Sequence, residues 1–152
     1  MRPRRPARQK GIDMYKRILA ANDGSPGALK ALAAAIEMSR HAGAKLHMVT
    51  VEELPRFPAS IDEIDEEKTE ANHRLAPMIA TARADAAAAG VEIEVHLVPG
   101  HVVEAVVGLV KDREIDLLVV GFMGHSALYE RIIGGTTDRL VRLVPCAVLV
   151  VK

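Results

Sequence analysis

The sequence predicts an α/β fold with an open, five-stranded parallel sheet and helices on both faces. Short aliphatic runs alternate along the chain with longer segments of helical periodicity. Three of the runs, residues 16–22, 116–120 and 146–151, are almost continuously aliphatic, as in parallel strands that helices cover on both sides. The connecting segments are long enough for right-handed crossovers between parallel strands.

The first strand is predicted over residues 16–22, and a helix follows it. Ser25 is a typical helix N-cap, and Pro26 suits the first helical position. The helix is expected to end at Gly43, because glycine favours the position just beyond a helix. Apolar residues at helical spacing define its inner face: Leu29, Leu32, Ala33 and Ile36.

The second strand is predicted over residues 44–51 and leads into a proline-containing loop. Ser60 and Glu63 have the spacing of a capping box, so a long helix is predicted from there to about residue 89, ending at Gly90. Pro77 lies inside this helix and is expected to kink it or divide it in two, since proline removes a backbone donor.

The second half of the chain continues the alternation. A third strand is predicted over residues 91–98, where apolar and polar residues alternate as in a strand near a sheet edge, and Pro99-Gly100 is predicted to turn the chain. The remaining elements are predicted at residues 101–115 (helix), 116–120 (strand), 136–144 (helix) and 146–151 (strand). Without an internal repeat, residues 14–152 are predicted to form one domain.

Composition and charge exclude several functions for this 152-residue chain. Residues 1–13 are basic and poor in apolar side chains, so we interpret them as a disordered arm. An uninvolved tail is favoured there over contact with nucleic acid or anionic lipid. No run approaches the roughly 18–20 apolar residues of a membrane helix. The single Cys146 excludes an internal disulfide framework, and we expect a cytoplasmic protein without a membrane or nucleic-acid partner.

Two predicted strand ends carry the residues that favour a binding site. The first strand ends in Asn22-Asp23, and the fourth runs into Gly121 and Gly124. Ligands of open α/β sheets bind beyond the carboxyl ends of the strands, where the strand order reverses. If strands one and four are neighbours, these two loops face one crevice. A turn or helix-capping role is the alternative for Asp23.

A second glycine pair, Gly134-Gly135, precedes the helix that begins with Thr136 and Thr137. A helix N-terminus presents free N–H groups and a partial positive charge, and glycine lets an anion approach them closely. The two glycine pairs are therefore interpreted as a phosphate cradle, with His125 on the loop between them. From spacing alone, ordinary tight turns remain the alternative, because the Walker and dinucleotide patterns are absent.

No catalytic constellation and no metal site is predicted from the sequence. His101 and Glu104 share a helix face, but no second pair of ligands accompanies them. Cys146 precedes an apolar strand and is expected to be packed and inert. Any hydrolysis of a bound nucleotide is expected to be slow, since no general base is evident.

The glycines complete a recognisable pattern: Gly121, two residues, Gly124, nine residues, Gly134. This spacing resembles the nucleotide motif of the universal stress proteins, and "MYKRILAANDGSPGALKAL" and "PCAVLVVK" resemble their opening and closing segments. The resemblance covers nearly all of residues 14–152. It implies a Rossmann-like fold of the adenine nucleotide alpha-hydrolase type, with sheet order 3-2-1-4-5. It also implies ATP binding, although another branch of the family lacks the motif and binds no ATP.

The resemblance also implies roles for individual residues. Asp23 corresponds to the aspartate that contacts adenosine, and Val51 to an apolar residue that packs on adenine. The implied ligand is ATP, ADP or AMP, with Mg²⁺ held through the phosphates. The residues implied for the nucleotide site are Ala21, Asn22, Asp23, Val51, Val120, Gly121, Gly124, His125, Gly134, Gly135, Thr136 and Thr137.

One residue departs from the family pattern. A serine or threonine usually follows the third glycine, and here it is Gly135. A hydroxyl donor to phosphate is lost, so we expect weaker triphosphate affinity or a preference for ADP or AMP.

The last strand predicts how copies of the chain associate. Residues 147–151 are apolar, uncharged and free of proline, which makes a poorly protected sheet edge. A homodimer through Ala147–Val151 would cover it, and the resemblance implies the same dimer. The function predicted is a nucleotide-sensing, regulatory module of the stress response. The alternatives are a dimer that acts through protein contacts without nucleotide, and a slow ATPase.

Overall fold

The computed structural model describes residues 14–53, 61–122 and 135–152. Strands and helices alternate throughout these ranges. The strands are β1 (Arg17–Ala21), β2 (Lys45–Glu53), β3 (Ile93–Gly100), β4 (Leu117–Gly121) and β5 (Ala147–Val151). The helices are α1 (Pro26–Ala42), α2 (Ile61–Ala88), α3 (Val102–Asp112) and α4 (Thr136–Leu143). No helix within the described ranges is both long and apolar enough to span a membrane.

The five strands form one parallel sheet in the order β3-β2-β1-β4-β5. Ala20 of β1 lies opposite Met48 of β2 on one side and Val119 of β4 on the other. This confirms the predicted fold class, including the reversal of strand order between β1 and β4.

Helices cover both faces of the sheet and create two hydrophobic cores. Ile18 and Ala20 of β1 face α1 and α2, whereas Leu19 and Ala21 face α3 and α4. Ile18, Leu19 and Ala20 have no exposed surface. Because each fully buried aliphatic side chain contributes about 1.5–3 kcal/mol, the central strands anchor both layers.

Both predicted caps of α1 are present. Ser25 Oγ accepts a hydrogen bond from Ala28 N at 3.2 Å, and Pro26 occupies the first turn. At the other end Gly43 has φ 65° and donates its N–H to Ser39 O. These bonds satisfy backbone groups that a helix leaves unpaired at its ends, and they fix the start of α1 directly beside the end of β1.

α2 is a single helix that continues through Pro77, so of the two predicted effects, a kink or a division, the division does not occur. The predicted turn at Pro99-Gly100 was wrong. β3 continues through Pro99 and Gly100, which pair with Glu52 and Glu53, so these residues do not form a turn. Pro99 is tolerated because β3 is an edge strand of the described sheet, where a missing donor can face away from the ladder. The proposed Ser60 cap lies outside the described residues.

The third strand also begins later than predicted. Gly90 has φ 71°, and Val91 N donates to Ala86 O at 2.8 Å, so both residues complete the end of α2. β3 therefore begins at Ile93. Val91 is apolar and buried in the core beneath α2. This explains why the apolar pattern of the predicted strand included it.

Gly121, the last residue of β4, contacts the backbone at the start of α1. A Cβ at this position would lie 2.5 Å from Gly27 C and 2.7 Å from Gly27 O. No side-chain rotation relieves such a contact, because the opposing atoms are backbone. The close approach of β4 to α1 therefore requires glycine at residue 121.

We expect Gly121→Ala to lower the free energy of unfolding by about 1–3 kcal/mol, the usual effect of overpacking a closely packed site. Urea denaturation followed by circular dichroism measures it. Gly108→Ala is the matched control, since no described atom lies within 4 Å of its Cβ inside α3. That change should stabilise the protein by about 0.5–1 kcal/mol, because alanine favours helix. Equal stability of the two variants would contradict the packing role of Gly121.

Candidate functional site

The candidate site lies at the carboxyl edge of the sheet, where β1 and β4 are adjacent. The loop after β1 is held by a network around Asn22, which is only 3% exposed. Asn22 N donates to Val49 O at 2.9 Å, and Asn22 O accepts from Thr50 Oγ1 at 3.0 Å. Asn22 Oδ1 accepts from Gly24 N at 2.9 Å. The backbone and the side chain of Asn22 thus both hold the loop in place.

Asp23 is exposed beside this ordered turn. Its Oδ1 accepts a hydrogen bond from Ser25 N at 2.9 Å, so the turn role that the sequence left open is present. Ser25 in turn caps α1. The carboxylate is consequently held at the mouth of the β1–α1 loop, in contact with solvent.

On the other side of the crevice, α4 is tied to β4. Thr137 Oγ1 donates to Gly121 O at 3.0 Å, which fixes the first turn of α4 at the end of β4. Gly135 occupies the N-cap position, and no side chain within the described ranges caps the helix. Among the described residues, no side chain occupies the N-terminal N–H groups of α4, and such groups suit an anion. Thr136 is exposed, whereas the hydroxyl proton of Thr137 is already engaged.

The predicted apolar residues share one face of the sheet. Val120 is buried in the core beneath α3 and α4, and half-buried Ala21 and Val51 pack against the same core. All three residues lie in the carboxyl-terminal halves of their strands. Gly124, His125 and Gly134 were also predicted for the site, and they lie outside the described residues.

A pocket that the sequence did not indicate opens on the opposite face, between α1 and α2. Its volume is about 380 Å³, and Asp23 and Gly24 form part of its wall. The remaining wall is largely apolar and comes from Leu29, Leu32, Leu75, Pro77 and Met78, among others. Of the predicted site residues that the structure describes, Asp23 alone lines it. The pocket depends on the packing of two helices, which residue spacing along the chain does not reveal.

The single cysteine lies just before β5 and is half-buried. Burial raises the pKa of the Cys146 thiol, while a hydrogen bond with the Leu118 backbone opposes the shift. The thiol is therefore protonated at neutral pH and a poor nucleophile, as expected for a packed residue.

Comparison with known proteins identifies relatives along almost the whole chain. The universal stress protein family matches residues 14–152. The universal stress protein Slr1230 of Synechocystis sp. is 34% identical over 140 residues, which are 92% of this chain and 44% of that protein. The chain thus spans less than half the length of this relative.

Solved structures share the same fold. The universal stress protein UspA from Lactobacillus plantarum has a TM-score of 0.80 and 25% identity, covering 91% of this chain and 98% of its own. A universal stress protein solved in complex with cAMP has a TM-score of 0.73 and 29% identity, with the same coverage of both chains.

Proposed function

The chain belongs to the universal stress protein family, and from this premise we propose that it binds an adenine nucleotide, ATP in particular, at the carboxyl edge between β1 and β4. Binding serves a sensing or regulatory role in the stress response, in the cytoplasm. A relative of 29% identity was solved in complex with cAMP, which supports the adenine nucleotide as the ligand class. We propose no dedicated catalytic group, so any hydrolysis of ATP is slow.

The observation that carries this proposal is the open N-terminus of α4 beside the end of β4. The hydrogen bond between Thr137 Oγ1 and Gly121 O holds α4 in place. Gly135 leaves space above the helix N-terminus, since no described atom lies within 4 Å of where its Cβ would be. Polyphosphate suits such a position, because the N–H groups and the helix dipole both favour negative charge. Mg²⁺ would be held by the phosphates and water.

The adenosine moiety is proposed to lie toward β1 and β2. Half-buried Ala21 and Val51 offer apolar surface on one face, with Val120 buried in the same core, and Asp23 is a hydrogen-bond acceptor for ribose hydroxyls or the base amino group. Asn22 shapes the loop that presents Asp23. Gly124, His125 and Gly134 complete the proposed site, together with Gly135 and Thr136.

We expect the purified chain to retain an adenine nucleotide, detectable by mass spectrometry, and to bind ATP in calorimetric titration. Asp23→Ala should weaken ATP binding about tenfold or more, since a hydrogen bond to a charged group contributes roughly 1.5–3 kcal/mol. Asp112→Ala, an exposed change at the far end of α3, should bind as the parent does.

Asp23→Asn distinguishes the role of Asp23 in the turn from its proposed contact with the ligand. The amide oxygen can still accept the hydrogen bond from Ser25 N. The variant's free energy of unfolding should stay closer to that of the parent than the value for Asp23→Ala does, while its ATP affinity falls. Absence of both retained and titrated nucleotide would contradict nucleotide binding. It would favour the alternative, a dimer that works through protein contacts, for which the missing hydroxyl at Gly135 is the supporting feature. Rapid ATP turnover abolished by Asp23→Ala would instead favour an ATPase.

We expect Gly135→Ser to raise ATP affinity about tenfold while changing AMP affinity little, because the added hydroxyl donates to phosphate. The backbone at Gly135 has φ −59°, which serine adopts without strain. Gly135→Ala is the matched control, since it adds the Cβ without the hydroxyl. Titration of ATP, ADP and AMP into all three proteins measures the effect, and equal affinities for the serine and alanine variants would contradict it.

We further propose a homodimer through β5. Within the described sheet β5 pairs only with β4, and its outer edge is an apolar run without charge or proline. Such an edge invites pairing with the same strand of a second copy. Light scattering at micromolar concentration should give twice the chain mass of 16.4 kDa. A monomeric mass over the whole dilution range would contradict this assembly.

A further inference from the structure

A second group of polar side chains lies between β2 and the edge strand β3. His47 of β2 is opposite Glu94 of β3 in the register, and His96 follows two residues later on the same face. We call His47, Glu94 and His96 the histidine cluster. His47 is the third residue of β2, so the cluster lies toward the amino ends of the strands.

The potential ligand atoms of the histidine cluster converge. His47 Nδ1 lies 3.0 Å from His96 Nε2. Glu94 Oε2 is 3.8 Å from His47 Nδ1, and Glu94 Oε1 is 3.6 Å from His96 Nε2. Ligands about 2.0–2.1 Å from one Zn²⁺ ion lie roughly 3.0–3.8 Å from one another. The two distances to Glu94 involve different carboxylate oxygens; with one ligand atom taken from each residue, all three lie within 4.8 Å of one another, so a small rotation of the Glu94 carboxylate would bring them to these separations.

We propose that the histidine cluster binds one divalent transition-metal ion, with Zn²⁺ as the ion that fits best. Two imidazole nitrogens and one carboxylate oxygen form a donor set that zinc uses when it keeps one coordination position open. The nitrogen donors disfavour Ca²⁺ and Mg²⁺, which prefer oxygen ligands. Both strands belong to the sheet, so backbone hydrogen bonds hold the ligands in place before the ion arrives.

A second, independent observation is the polar burial of His47. This residue is 2% exposed, and its Nε2 has no hydrogen-bond partner among the described residues. The atom that faces His96 and Glu94 is Nδ1, and in the neutral imidazole with its proton on Nε2 this atom keeps a lone pair for a metal ion.

Glu94 already has two basic neighbours, and these shape the site. Lys45 Nζ lies 2.6 Å from Glu94 Oε2, and Arg113 Nη1 lies 3.4 Å from Glu94 Oε1. Carboxylates that bind metals are commonly hydrogen-bonded by further groups, and a carboxylate has lone pairs for both kinds of contact. The positive charges nonetheless oppose the ion. Lys45 and Arg113 are about half exposed, so they can turn toward solvent when it binds.

A bound ion would link the edge strand to the strand beside it. β3 pairs only with β2 in the described sheet, and its outer side has no partner strand there. None of the three ligands is proposed for the nucleotide site, although His96 pairs with Val49, which pairs with Ala21 of that site. Failure of either proposal leaves the other standing.

Titration of ZnCl₂ into the untagged, nucleotide-free full chain tests the proposal. We expect one ion per chain, a rise in Tm with zinc, and visible absorption of bound Co²⁺ typical of four or five ligands. Glu94→Gln and His96→Gln should each weaken binding at least about tenfold, since even groups that merely support a ligand matter by 10–100-fold. Lys45→Gln should tighten binding, because it removes an opposing charge next to Glu94.

His41→Gln and Cys146→Ala are the matched controls, since they remove other metal-binding side chains outside the cluster. Both should bind zinc as the parent does. Circular dichroism of Glu94→Gln and His96→Gln confirms that they fold, and these positions are used because His47 is buried more deeply. The proposal is overturned if the parent binds no zinc in the micromolar range, if both cluster variants keep full affinity, or if either control abolishes binding.

Discussion

The structure depends on the pairing of β1 with β4, since the direction of the chain across the sheet reverses at this point. β1 and β4 are the most deeply buried strands, and each contributes side chains to both hydrophobic cores. Their parallel pairing brings two unrelated loops to one edge, the one after β1 and the one after β4. A crevice at this edge follows from the topology, because neighbouring crossovers turn to opposite faces.

Local hydrogen bonds convert this crevice into an ordered surface. The Asn22 side chain and the Ser25 cap fix the loop after β1 before any ligand arrives. On the other side, Thr137 fixes the start of α4 to β4. A ligand that binds there does not have to order these backbone segments itself, so more of its interaction energy remains as affinity.

The sequence allowed the fold to be predicted, because strand burial and loop polarity are local patterns. The alternation of strands and helices, the α1 caps and the apolar run of β5 were visible in this way, whereas the strand order was implied by the family resemblance. The continuation of β3 through Pro99 was not, because tolerance of proline depends on the strand being at an edge. The histidine cluster was missed for a similar reason: Glu94 and His96 alternate on one strand, but His47 joins them only once β2 and β3 are paired in register.

The glycines of the crevice differ in what they reveal about a ligand. Gly121 is required by packing, because α1 leaves no room for a side chain, so its presence says little about nucleotide binding. Gly135 has no such requirement: its φ is negative, and no described atom would meet its Cβ. Within the described ranges no side chain caps the start of α4, so its N–H groups, rather than the glycines, are the stronger structural argument for the proposed anionic group at this edge.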